Sequence, residues 1–228
     1  MYTKQTKIVC TIAHNRCEPD FIKSLFDAGM NVARLNTAHI EMEDAAYIVQ
    51  QLRAVSNRIG ILIDTKGPEV RIRDLETPLE VTAGQTLHVS ADQQPTFGFC
   101  VNYDAFVNEV PIGSDLLIDD GEIHLTVQDK KDDQLICQVT NSGEIKNRKS
   151  VNVPGVNLQM PSLTDKDARF IEWATENDIE FIAHSFVRNR DDVMAIQSIL
   201  DRRKSPIKII AKIENQEGIE NLESILDC

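Results

Sequence analysis

Ile207-Lys208-Ile209-Ile210-Ala211-Lys212-Ile213-Glu214-Asn215-Gln216-Glu217-Gly218 begins as a short β-branched run and ends as a charged turn. The first half predicts a strand buried on both faces, as in a parallel sheet. Side chains alternate along a strand, so Lys212 and Glu214 emerge on the same side at its C-terminal tip. In parallel α/β folds that is the end at which sites are built. Alone, a Lys-x-Glu pair is an ordinary exposed ion pair of little energetic weight. Its meaning depends on the rest of the chain.

Upstream of this stretch the pattern repeats. Asp191 to Leu200 has helical spacing, and Phe181-Ile182-Ala183-His184-Ser185-Phe186-Val187-Arg188 predicts another strand. Before it, Thr164 or Asp165 can cap a helix carrying Phe170, Ile171 and Trp173. At the other end of the chain, Lys7 to Ile12, Asn31 to Asn36 and Ile59 to Ile63 read as three buried strands. The helices between them open at Glu18-Pro19-Asp20 and at Met42. Strand alternating with helix is the rhythm of a parallel sheet or barrel. Each strand runs out into polar residues: Thr37-Ala38-His39 after the second, Asp64-Thr65-Lys66-Gly67 after the third.

From Pro68 the rhythm changes to short alternating runs separated by turns, such as Leu79–Gly84, Thr86–Val89, His124–Val127 and Leu135–Val139. They predict a small all-β unit inserted into the βα scaffold, with its exit at Lys149–Gly155. The expected division is a first barrel part over 1–67, an inserted β domain over 68–155 and a continued barrel part over 156–228.

Composition narrows the function. A net charge of -12 disfavours non-specific binding to nucleic acid or an anionic membrane, so a bound phosphate needs a local basic cluster. Lys4 and Lys7 precede an apolar run too short for a signal-peptide core, no 18 apolar residues run together, and a cytoplasmic protein is expected. Five scattered cysteines without a C-x-x-C pair suggest structural thiols rather than a disulfide framework or a zinc site.

Seven stretches, taken together and in order, resemble the N-terminal half of pyruvate kinase: Lys7–Ile12, Gly29–His39, Asp64–Arg71, Ile118–Ile123, Lys149–Gly155, Ala183–Arg188 and Ile209–Gly218. The resemblance implies a (β/α)8 barrel of TIM type, incomplete here with five of eight strands, and an inserted β-barrel lid after the third strand. It implies phosphoryl transfer from phosphoenolpyruvate to ADP, giving pyruvate and ATP, with Mg2+ or Mn2+ and K+ as cofactors. By the same resemblance Lys212 is the essential lysine and Arg34 grips the phosphoryl group; an ammonium and a planar guanidinium suit those tasks. Glu214 matches a ligand of the divalent metal, and Asn36, Asp64 and Thr65 match oxygen ligands of K+. Arg71, Lys149 and His39 match nucleotide-side contacts, and Ser185 matches a serine near metal and substrate. The family also implies a homo-oligomer for the complete enzyme.

Without the resemblance, Arg34 reads as a salt-bridging arginine, His39 as a loop histidine, Asp64-Thr65 as a turn or cap, and His184 as a packing residue. Three departures from the family pattern stand out. Ala13-His14 replaces the usual Gly-Pro after the first strand, and Ala38 replaces a serine that helps ligate K+. The third is that five of eight strands leave sheet edges unpaired. The expectation is a truncated copy, inactive alone and prone to associate. The competing reading is a catalytically incomplete fragment that binds nucleotide or metal weakly. Glu69 is the residue type of the K+-dependent branch, so K+ dependence with a weakened site is expected.

Overall fold

The computed structural model describes residues 5–228; Lys4 lies outside the described residues. The chain forms two compact units, one running to Pro68 and resuming at Pro161, the other comprising Glu69–Met160. The first opens with β1 (Val9–Thr11), α1 (Pro19–Asp27), β2 (Val32–Asn36), α2 (Met42–Val55) and β3 (Gly60–Asp64). The second holds β4 (Ile72–Arg73), β5 (Leu79–Val81), β6 (Thr86–Ser90), β7 (Gly98–Val101) and α3 (Phe106–Glu109). It continues with β8 (Asp115–Ile118), β9 (Ile123–Lys131), β10 (Gln134–Val139), β11 (Gly143–Ile145) and β12 (Val151–Asn152). The first unit then resumes with α4 (Asp165–Ala174), β13 (Phe181–His184), α5 (Arg190–Arg203), β14 (Lys208–Ala211), α6 (Gln216–Glu220) and α7 (Leu222–Leu226).

The first unit is an arc of five parallel strands in the order β1-β2-β3-β13-β14, the α/β arrangement of a (β/α)8 barrel. Helices and strands bury a common core that includes Ile22, Leu35, Ile48, Leu52, Ile61, Ile63, Phe170 and Ile182. Each fully buried aliphatic side chain contributes roughly 1.5–3 kcal/mol. Helix starts follow their local chemistry. Thr164 and Asp167 form a capping box at α4, and the Asn189 side chain accepts from the Asp192 N–H at α5.

The outer strands correct one expectation. The opening stretch predicts a strand buried on both faces, yet Ile210 of β14 is 41% exposed, and Val9 of β1 is 51% exposed. Among the described residues each has a single sheet neighbour, whereas β3 lies between β2 and β13 and is buried along nearly its whole length. The β-branched run reports strand propensity; burial on both faces needs two flanking strands.

In the second unit seven strands follow the order β12-β8-β9-β10-β6-β7-β4, antiparallel except for the β6–β7 pair. The two end strands meet: Ile72 N–H donates to the Lys149 carbonyl at 2.9 Å and Val151 N–H to the Val70 carbonyl at 2.8 Å. With the Arg71–Ser150 bridge this seam closes the sheet on itself around Phe99, Phe106, Leu125 and Leu135. The exit expected at Gly155 falls later, after Met160, because Val156, Leu158 and Met160 still pack on this core.

Among the described residues no helix is long and apolar enough to cross a membrane. All five cysteines are free. Cys137 faces Leu87 across the β10–β6 pair, and burial pushes its thiol up to about 12. Alkylation of the native protein near pH 8, read by mass spectrometry, should mark exposed Cys228 first. Buried Cys17, Cys100 and Cys137 should react only after denaturant is added.

Candidate functional site

β2, β13 and β14 bring three sequence-predicted residues, Arg34, Ser185 and Lys212, onto one carboxylate at the C-terminal end of β3. Asp64 ends the central strand and is 2% exposed. Its Oδ2 accepts from Arg34 Nε at 2.6 Å and also from the Arg34 Nη2 group. Its Oδ1 accepts from Lys212 Nζ at 3.1 Å and from Ser185 Oγ at 3.2 Å. One buried anion thereby holds a guanidinium and an ammonium side by side at the end of the sheet.

Lys212 is fixed by three acceptors: Ser185 Oγ at 2.8 Å, Asp64 Oδ1 and, at 3.4 Å, Glu214 Oε2. Glu214 is oriented in turn by the Phe186 N–H, which donates to it at 3.0 Å. Phe186 has φ 57°, a left-handed turn that aims this N–H at the end of β14. Besides Lys212, Ser185 Oγ has two acceptors for its one hydrogen, the Thr65 carbonyl at 2.6 Å and Asp64 Oδ1 at 3.2 Å.

Two glycines let these loops close up. Gly67 has φ +67°, and a Cβ there would lie 2.5 Å from the Ser185 carbonyl oxygen. A Cβ on Gly218 would lie 2.4 Å from the Val187 carbonyl oxygen. Either substitution would push apart strand-end loops that carry site residues.

Asn36 and Asp64 are register partners on β2 and β3, with Thr65 next in the chain. The three offer side-chain and carbonyl oxygens of the hard type that suits K+. Ala38 contributes its N–H to Asn36 Oδ1 at 3.1 Å and no oxygen of its side chain. The hydroxyl of neighbouring Thr37 is buried, and its Oγ1 donates to the Asp64 carbonyl at 2.8 Å. His39 is exposed on the same loop.

A divalent ion fits less completely. Among the described residues no group of three or more His, Cys, Asp or Glu side chains is placed to hold a metal. Glu214 supplies one carboxylate contact, which suits an ion that also takes water and substrate oxygens.

Arg71 and Lys149 sit in the second unit, on its closing seam. Arg71 Nε donates to Glu69 at 2.6 Å and its Nη1 to the Arg148 carbonyl at 2.6 Å. Lys149 Nζ pairs with Asp119 at 2.7 Å. Both side chains remain partly exposed.

Sequence reasoning passed over three supporting residues. Thr11, the register partner of Arg34, receives its Nη1 at 2.8 Å. Buried Asp167 accepts the Lys66 N–H at 2.9 Å and so ties the loop after β3 to the start of α4. His184 stands against Thr65. Thr11 carried a signal, being polar at a strand tip; the cap candidates read from the sequence are Thr164 and Asp165, and nothing local singles out Asp167.

Comparison with known proteins matches these features as a group. The family model described as "Pyruvate kinase, barrel domain" covers residues 3–228. The chain is 52% identical over 228 residues to a pyruvate kinase of Borreliella burgdorferi, covering 99% of this chain and 48% of the relative. It is 42% identical over 235 residues to one from Staphylococcus aureus, covering 98% and 40%. Among solved structures, a pyruvate kinase from Cryptosporidium parvum superposes with TM-score 0.88 at 37% identity, covering 97% of this chain and 48% of that one. The chain thus spans less than half the length of these relatives.

Proposed function

The chain belongs to the pyruvate kinase family, and from that premise we propose that its site serves phosphoryl transfer from phosphoenolpyruvate to ADP in the cytoplasm. The observation that carries the reading is the single buried carboxylate of Asp64 holding Arg34 and Lys212 together. Neither cation is neutralised in a fully private pair, and both side chains stay about a third exposed, ready for an anionic substrate. Arg34 grips the phosphoryl group through its fork, while Lys212 stabilises the group in flight and the enolate left behind. Ser185 keeps Lys212 on station, and Glu214 would give a divalent ion one protein contact; His39 in the first unit, and Arg71 and Lys149 in the second, are each read as nucleotide-side residues within their own unit. A bound Mg2+ or Mn2+ would screen phosphoryl charge, and K+ on Asn36, Asp64 and Thr65 would supply a further fixed positive charge.

A second reading, weak nucleotide or metal binding without turnover, draws support from the lone Glu214 carboxylate. Pyruvate production coupled to lactate dehydrogenase separates the two, run on the 228-residue chain and on any longer form that contains it. Turnover with phosphoenolpyruvate and ADP supports the first reading; calorimetric nucleotide binding without turnover in every form supports the second.

The K+ site carries its own expectation. At matched ionic strength, activity should be higher in K+ than in Na+, and Ala38→Ser should lower the K+ concentration needed for half-activation several-fold by restoring a hydroxyl ligand. Equal rates in the two salts would remove K+ from the mechanism.

A further inference from the structure

His184 ends β13 beside Ser185 and is fully buried, at 0% exposure. Its Nδ1 lies 3.2 Å from Thr65 Oγ1, and the same oxygen accepts the Ser185 N–H at 3.2 Å. Its Nε2 is buried without a hydrogen-bond partner among the described residues. The threonine decides between the tautomers. If Nδ1 carried the proton it would donate to Thr65 Oγ1, leaving two buried groups unpaired: the threonine hydrogen and the Nε2 lone pair. If Nε2 carries it, the Thr65 hydroxyl donates to Nδ1 and one group stays unpaired. The second arrangement is favoured, since each unpaired buried polar group is costly. Burial opposes double protonation and holds the imidazole below its ordinary pKa, outweighing the pull of Asp192 and Asp167.

We propose that His184, as its Nε2–H tautomer, is a positioning residue: it orients the Thr65 hydroxyl, which anchors Ser185 so that Ser185 Oγ holds Lys212 in place. The relay runs from His184 Nδ1 to Thr65 Oγ1, to the Ser185 backbone, and on to Lys212 Nζ, 2.8 Å from Ser185 Oγ. A side chain at this point of a packed strand has no need of nitrogen for filling space. An imidazole with one nitrogen unpaired is explained by the bond its other nitrogen makes. The inference deepens the phosphoryl-transfer reading and rests on it only for its effect on rate.

The test begins with the 15N-labelled 228-residue chain. Long-range 1H–15N spectra should show Nδ1 as an unprotonated acceptor and Nε2 protonated; the opposite tautomer overturns the proposal. His184→Asn places Oδ1 where Nδ1 sits and can still accept from Thr65, whereas His184→Leu fills the space without an acceptor. Exchange of the Ser185 amide should quicken about fivefold to tenfold in the Leu variant, the net worth of one hydrogen bond, and stay near the unsubstituted rate in the Asn variant. Equal exchange in both overturns the proposal. Should the Leu variant not fold, the His184 ring nitrogens are read in Thr65→Val against Thr65→Ser: loss of the Nε2–H preference in the Val variant alone supports the bond from the Thr65 hydroxyl to Nδ1, and an unchanged tautomer in both overturns it. In whichever form turns over phosphoenolpyruvate, kcat should fall with KM little changed in His184→Leu and recover in His184→Asn. Equal loss in both variants marks a merely structural residue and overturns the proposal. Absence of turnover in every unsubstituted form counts against the functional reading, while the tautomer and exchange data still decide the relay.

Discussion

Asp64→Ala should unfold the βα unit at clearly lower urea or temperature than the unsubstituted chain. The substitution removes the one carboxylate that takes Arg34 on one oxygen and Lys212 with Ser185 on the other. Taking one partner from a buried ion pair costs about 3–5 kcal/mol, chiefly because a charge is stranded. Here the stranded cations are 33% and 28% exposed, so water recovers part of that and roughly 2–3 kcal/mol remains. For a chain of this length that corresponds to a midpoint lower by roughly 4–12 °C. Trp173, the single tryptophan, lies in α4 and reports on this unit by fluorescence. Asp64→Asn should fall between, because its amide keeps one acceptor but turns an N–H2 group toward one of the cations. Adding Arg34→Met to Asp64→Ala should recover part of the loss by removing a stranded charge, a coupling that a double-mutant cycle measures. An unchanged midpoint in Asp64→Ala would show that the carboxylate does not bear the two cations.

The role of Asp64 also shows what the sequence could and could not reveal. The βα rhythm was legible because strands such as Ile59–Ile63 are β-branched and end in polar residues, and the helix read as opening at Met42 is α2. The candidate residues were legible as strand-tip chemistry, and their roles through the family resemblance. Hidden was which tips meet. β3 lies between β2 and β13, with β14 beyond, so Asp64 reaches both Arg34, 30 positions before it, and Lys212, 148 positions after it. Nothing local in Asp64-Thr65 announces that. Edge exposure of β1 and β14 was hidden for the same reason, since burial of a strand depends on its neighbours. His184 looked like filling because an isolated histidine in an apolar run has no local signature; its partner is Thr65, 119 residues away.

Lys212→Met should lower turnover of phosphoenolpyruvate by about 10³-fold or more while leaving the fold in place. Losing one preorganised hydrogen-bond donor to developing charge costs about 10²–10³, and losing a cation aimed at a phosphoryl group in transfer costs about 10³–10⁵. Lys212 belongs with the second case because its ammonium is held before substrate arrives. Ser185, Asp64 and Glu214 fix its head, while its backbone N–H donates to His184 and its carbonyl accepts from Val187. Such a group needs little reorganisation at the moment of transfer. The fold should survive for a separate reason. Methionine replaces the aliphatic stem, and Asp64 keeps Arg34 on Oδ2 and the Ser185 hydroxyl near Oδ1, so no buried charge is stranded. The Trp173 transition should therefore shift far less than in Asp64→Ala. Lys212→Arg should retain only part of the activity, because a planar fork cannot point at the same three acceptors as a compact ammonium. The two aspartate and lysine variants together separate two roles for neighbouring charges: Asp64→Ala should lose stability and activity, Lys212→Met activity alone. Retention of activity within tenfold in Lys212→Met would leave Arg34 as the cation that meets the transferring group, and the lysine as a structural counter-charge to Asp64.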